Sequence, residues 1–230
     1  MSEVFMGLKK ILTGIGFLIT SFSVVADGGV GLGATRMVYH TQDKMASMPV
    51  INSTSNQHYL INSWVEDSDE VKTKDLIVTP PLYLSEPNSE NALRVIKVLD
   101  NFHNDREKLY YLNVKSIPSS KGEIEADTNT LQFAILSRIK IFVRPPGLER
   151  IDELENKLAF KIINNDAIIS NPTPYYMNMV NVFLDDKKVD SITLQPFGQK
   201  TMDKGTKKVK FQLVNDYGAL TKVKEVIHNN

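Results

Sequence analysis

Three cations stand in stretches of chain that are otherwise apolar. Arg36 lies in GLGATRMVY, and Arg138 and Lys140 lie in LQFAILSRIKIFVRPPGL, residues 131–148. With the two-residue period of a strand, Leu32, Ala34, Arg36 and Val38 share one face, and Gly33, Thr35, Met37 and Tyr39 the other. In the second stretch Phe133, Ile135, Ser137, Ile139 and Ile141 alternate with Ala134, Leu136, Arg138, Lys140 and Phe142. A lone cation in a strand either sits at a wet sheet edge or has an anionic partner, because an unpaired buried charge is costly. That partner can come from another molecule. The planar guanidinium of arginine suits a carboxylate, to which it donates two charge-assisted hydrogen bonds. Carboxylate recognition is therefore the chemistry these residues suggest.

Other chemistries find little support. The four histidines, His40, His58, His103 and His228, are not spaced with one another or with acids as metal ligands are, and there is no cysteine. No G-x-S-x-G elbow, phosphate loop or HExxH motif occurs. Asp67, Asp69 and Glu70 fall in a polar turn, and Asp185-Asp186 reads as a hairpin turn. An enzyme, a metal and a cofactor are not expected. Basic and acidic residues balance at 27 each, which leaves no electrostatic footprint for nucleic acid.

The elements that carry these residues read as short strands. VGLGATRMVYH, YLINSWVED, LIVTPPLYL, ALRVIKVL, KLYYLNVKSI and the stretch from Leu131 are separated by turn clusters such as NSTSNQ, SEPNSEN and PSSKGE. No window holds a sustained helical stripe. Trp64, mid-strand beside Ile61 and Val65, reads as a core residue. Pro145-Pro146 cannot continue a sheet, and the charged segment after them suggests a linker with one helical turn. Strand patterns then resume in LAFKIINND, YYMNMVNVFL, SITLQPF and KVKFQLVND. The expectation is all-β, in two sandwich domains, 27–147 and 148–230.

The first 26 residues have a different character. Lys9 and Lys10 precede an apolar run from Ile11 to Ala26, which is the pattern of a signal peptide cleaved after Ala26. The mature chain is then exported, and with no cysteine it relies on ordinary cores.

Several motifs in order resemble the periplasmic chaperones of the chaperone–usher pilus pathway. LGATRMVY resembles the family's first strand, and TPPLYLSEP followed by LRV its central strands. DREKLYYLNVKSIP resembles the F strand, LQFAILSRIKIFVRP the G strand, and NPTPYY and NDYGA two stretches of the second domain. The resemblance implies two immunoglobulin-like domains set in an L. It implies a periplasmic protein that caps pilus subunits by lending them its G strand, through Leu131, Phe133 and Ile135, and delivers them to an outer-membrane usher. Arg36 and Lys140 would bind the subunit's C-terminal carboxylate. Arg94, Glu107 and Asp216 would form a salt-bridge set between the domains, and Arg138 would be structural or exposed. The unpartnered strand edge would favour self-association of the free protein. Two features depart from many relatives: Tyr39 is followed by His40 rather than proline, and the second domain has no disulfide. A secreted immunoglobulin-like pilus subunit or adhesin is the alternative, although such subunits are usually single domains with a cysteine pair. A carbohydrate-binding sandwich using Tyr175 and Tyr176 is a further one.

Overall fold

The structure, a computed structural model, describes residues 28–100, 102–119, 132–149, 153–163 and 166–227. The expected signal peptide and Leu131 lie outside the described residues. The described chain builds two immunoglobulin-like β-sandwiches.

In the first sandwich one sheet runs in the order β1 (Val30–Leu32), β3 (Ala46–Asn52), β7 (Ser89–Lys97), β5 (Leu76–Thr79). The other runs β2 (Arg36–His40), β9 (Ile135–Arg144), β8 (Lys108–Pro118), β4 (Tyr59–Asp67), β6 (Leu82–Ser85). Alternation along each strand sends one row inward. Tyr39, Val50, Ile61, Leu93, Val95, Tyr110, Leu112 and Ile141 are fully buried between the sheets. Trp64 is not in that core. Its neighbours Ser63 and Val65 take the inward positions, so the indole lies half-buried on the outer face and donates to Glu66 at 2.7 Å.

Two sequence stretches expected as single strands change sheets midway. GLGATRMVY divides into β1, antiparallel to β3, and β2, parallel to β9. The crossing is pinned at Gly33, whose N–H donates to the Pro49 carbonyl at 2.9 Å; a Cβ there would come within 2.9 Å of the Pro49 ring. Likewise LIVTPPLYL divides into β5 and β6 at Pro80-Pro81, where two residues lack the N–H a ladder needs.

The second sandwich pairs β10 (Ala159–Ile163), β11 (Asp166–Ser170) and β15 (Gln199–Thr201) in one sheet. Its other sheet has β13 (Lys187–Lys188), β12 (Met177–Leu184), β16 (Lys208–Leu213) and β17 (Lys224–Ile227), with β14 (Ile192–Leu194) also on β12. Ile169, Met177, Met179, Val182, Val209 and Phe211 form its core. Asp185 and Asp186 make the β12–β13 turn with positive φ of 45° and 69°, which short polar residues tolerate. One 3-10 turn, Leu154–Asn156, occupies the segment after Pro145-Pro146. Each sandwich ties a loop with a buried asparagine followed two residues on by threonine. Thr54 donates to Asn52 Oδ1 and Thr173 to Asn171 Oδ1, both at 2.7 Å.

Candidate functional site

β9 ends the first sandwich and carries the outward row Leu136, Arg138, Lys140, Phe142, Arg144. Its neighbour on one side, β8, pairs with it from Ile135 to Val143. Its neighbour on the other, β2, pairs only from Lys140 to Arg144. Among the described residues, the edge of β9 from Ile135 to Ile139 therefore has no strand beside it. That open edge is about 17 Å long at the rise of a strand. It is also apolar: Phe133, Ile135 and Leu136 are 71%, 56% and 52% exposed. Phe133 precedes the regular strand. The row it begins passes through Ile135 and Ile139 and ends at Ile141, which is fully buried. A single row thus runs from solvent into the core.

The open edge stops at two cations. Register places Arg36, the first residue of β2, directly opposite Lys140. Arg36 donates to the Val214 carbonyl of the second domain at 2.9 Å and lies over the Phe142 ring, 5.7 Å from its centre. Its Nε is buried without a partner. Lys140 donates to Asn178 Oδ1 and, at 2.6 Å, to Thr193 Oγ1, both on the second domain. These partners are neutral oxygens, so neither bond cancels a charge. Burial lowers the Lys140 pKa to about 8, and the nearby Arg36 charge adds to the effect. Burial lowers the Arg36 pKa as well, partly offset by the Asp216 charge. Both shifts describe cations held in a place better suited to them when an anion is present.

Four residues along the same strand, Arg144 is satisfied differently. It bonds Glu107 at 2.7 Å and forks onto both oxygens of Asp216 at 2.7 and 2.9 Å. Glu107 is almost wholly buried and also accepts the Tyr176 N–H at 2.8 Å. Burial draws the Arg144 pKa down, but its bonds and Coulomb attraction to Asp216 and Glu107 outweigh this and hold it above the ordinary value. Burial pushes the Glu107 carboxyl up, and Arg144 with the Tyr176 N–H draws it back. This junction ties the first sandwich, through Glu107 and β9, to the second, through Asp216 and Tyr176.

Arg94 is the correction. The sequence resemblance grouped it with Glu107 and Asp216, but it is exposed on β7, opposite Ser47 and Thr79. Leu93 and Val95 take the inward positions there, and β7 belongs to the sheet that carries neither Glu107 nor Arg144. The cation between the two acids is Arg144. Its sequence signal was its place in the row Arg138, Lys140, Phe142, Arg144. Asn178, Thr193 and Val214 were not legible locally, since they come from a separate domain. Arg138 stacks on Tyr111 at 4.0 Å and pairs with Glu66 and Glu70 at 3.4 and 3.0 Å, so it already has anions and differs in this from Lys140. Glu70, expected to be only solvated, is one of them.

Between the domains beyond Arg36 lies a cavity of about 570 Å³. Phe142, Tyr175 and Tyr176 line it, with the Arg144 junction on one side and Tyr217 at its rim. Tyr217 is 95% exposed, on a turn in which Asn215 Oδ1 accepts the N–H groups of Tyr217 and Ala219. Gly218 follows with φ of 83° and passes so near Thr35 that a Cβ would collide with its hydroxyl. The described residues hold no group of acids, histidines or cysteines able to bind a metal ion.

Residues 29–149 match the pili and flagellar-assembly chaperone family, PapD N-terminal domain, and residues 153–225 match the pili assembly chaperone PapD, C-terminal domain. The chain belongs to this family of pilus-assembly chaperones, which are not enzymes. It is 41% identical over 223 residues to the probable fimbrial chaperone SfmC of Escherichia coli (strain K12), covering 95% of this chain and 97% of that one. It is 40% identical over 202 residues to the chaperone protein FimC of the same strain, covering 85% and 83%. Among solved structures it resembles the periplasmic chaperone SfaE at TM-score 0.75 and 35% identity, covering 87% of this chain and all of that one. It also resembles the Salmonella enterica SafA pilin in complex with the SafB chaperone, at TM-score 0.77 and 26% identity, with 87% and 97% covered.

Proposed function

We propose that the protein works in the periplasm, where it captures a pilus subunit by strand exchange and hands it to an outer-membrane usher. The observation that carries this reading is the open edge of β9 from Ile135 to Ile139, which ends at Arg36 and Lys140. The subunit's last strand would lie along that edge and exchange backbone hydrogen bonds with it, a form of strand addition. Leu131, Phe133 and Ile135 would in turn enter the subunit's own unfinished sandwich. The subunit's C-terminal carboxylate would replace neutral oxygens as the partner of Arg36 and Lys140, and fix the register. Register matters because a slip of one residue reverses every side chain. The Arg144 junction would hold the domains at the spacing the anchor needs. Without a subunit, two copies would cover each other's exposed edges, since a long apolar edge invites pairing.

The test is co-expression with a pilus subunit. Phe133→Asp and Ile135→Asp are expected to stay folded, because both residues are exposed, and to lose the stable complex. A charge would enter an apolar groove without a partner. Circular dichroism checks folding and a pull-down checks the complex. Unchanged subunit recovery with either variant would rule out donation by this row.

A further inference from the structure

The cavity beyond Arg36 is much larger than the anchor requires. A carboxylate fills a space comparable with one or two waters, at ~30 Å³ each. The cavity is about 570 Å³, within the range of small-molecule pockets, roughly 300–1,000 Å³. Its position follows from strand direction. A partner strand that ends at Arg36 and Lys140 runs parallel to β9, as β2 does. Phe142 and Arg144 lie further along β9 in that same direction and on its outward face, so the cavity opens to the side of the partner's last residue, next to Arg36, while β2 fills the lane ahead. Its floor is aromatic: the Phe142 and Tyr176 rings pack 5.9 Å apart at a tilt. At the rim Tyr217 is 95% exposed although it belongs to a turn held by two hydrogen bonds to Asn215 Oδ1 and two more between backbone groups. The turn is hydrogen-bonded, yet the ring lies open to solvent.

We propose that this cavity is a specificity subsite that takes the side chain of the partner's final residue, and that it favours an aromatic one, closed over by Tyr217. The inference rests on the carboxylate-anchor reading and adds a second determinant to it. Rings pack against rings in offset or edge-on geometry and gain beyond the area they bury. An acidic side chain is disfavoured, because Glu107, Asp216, Glu153 and Glu155 line the cavity against only Arg36 and Arg144. A glycine leaves the cavity to water.

Short host peptides of alternating valine and threonine test this, with the final residue glycine, leucine, phenylalanine, tyrosine or aspartate. Each is made as free acid and as amide and titrated into the full chain by calorimetry. Tyrosine and phenylalanine acids are expected to bind on the order of tenfold tighter than the glycine acid, with leucine between and aspartate weakest. Tyr217→Ala should remove much of that gain and leave the glycine acid unchanged. The same residues placed one position earlier, ahead of a final glycine, should show no such order. If acids still beat amides but the final side chain makes no difference, the subsite is wrong and the anchor stands. An order that follows the penultimate position instead would also overturn the subsite. If acids and amides bind alike, the anchor itself fails, and the subsite with it.

Discussion

Two cation clusters lie within five residues of each other on β9, and they are finished to different degrees. Arg144 meets a buried carboxylate and a forked one, so its charge is cancelled inside the molecule. Among the described residues, Arg36 and Lys140 donate their hydrogen bonds to a carbonyl, an amide oxygen and a hydroxyl, and to no carboxylate. Backbone and hydroxyl dipoles satisfy donors but do not neutralise them. A cluster completed by its own chain contributes to holding the domains together. One left incomplete raises the free energy of the empty state and so favours whatever anion completes it. A cation in an apolar row is informative only together with its partners.

The largest effect should come from breaking the finished cluster. Arg144→Met leaves Glu107 buried and unpaired, at an expected cost of about 3–5 kcal/mol in urea or thermal unfolding. Adding Glu107→Gln and Asp216→Asn should recover much of it, because no charge is then stranded. Arg36→Met should cost at most about 1 kcal/mol and is expected to be neutral or stabilising, since it removes a partly desolvated cation. Equal losses for Arg36→Met and Arg144→Met would dissolve the contrast.

In binding the order should reverse. Arg36→Ala or Lys140→Ala removes a charge-assisted bond of about 1.5–3 kcal/mol, which is roughly 10- to 150-fold in affinity for a free-acid strand peptide. The double variant should be little worse than either single one, because in the proposed complex both cations would hold one anion. Amidated peptide should bind wild type and variants alike. Additive losses would show that the two cations serve different groups.

A subtler difference is in pH dependence. With its pKa lowered to about 8, Lys140 is protonated less readily in the folded protein than in the unfolded chain, where it keeps the ordinary value near 10.5. Below about pH 8 both states hold the proton and the folded state bears its penalty. Between these values the unfolded state binds more protons, so this group's contribution to stability improves as pH rises. The gain in stability from Lys140→Met should therefore be larger at pH 7 than at pH 10. Binding of a free-acid peptide should show the opposite trend, weakening above about pH 8 with proton uptake on binding, and calorimetry in buffers of different ionisation enthalpy reads that uptake. The smallest effect belongs to Arg94→Ala, expected to change stability by less than about 0.5 kcal/mol as an exposed substitution. A loss comparable with that of Arg144→Met would return Arg94 to the junction.

The all-β class and the strand list were legible because alternation and turn residues are local. The turn at Asp185-Asp186 is an example, and so is the end of β9 before Pro145. The presence of Arg36 and Lys140 in apolar rows was legible for the same reason. Their adjacency depends on the register between β2 and β9, which are about a hundred residues apart, and only a resemblance could suggest it. Misplacing Arg94 and missing Arg144 have a common origin. Period two assigns a residue to a face of its strand but does not say which sheet that strand joins. The division of GLGATRMVY escaped notice because both halves alternate properly; what splits them is the approach of Gly33 to Pro49, a contact across the fold.

That division sets a direction and a stop. Because β1 lies in the other sheet and the chain crosses over only after Gly33, the lane beside Ile135–Ile139 is left without a strand and is entered first at Arg36, as β2. A guest strand in that lane is coaxial with β2 and points at its first residue. In the proposed complex the guest can go no further, since the chaperone's own backbone occupies the next position. A blind lane of this kind admits a chain end and refuses an internal segment, however similar its side chains. The protein would thereby distinguish a subunit whose C-terminus has been released from one still emerging, using nothing more than where its first strand changes sheets.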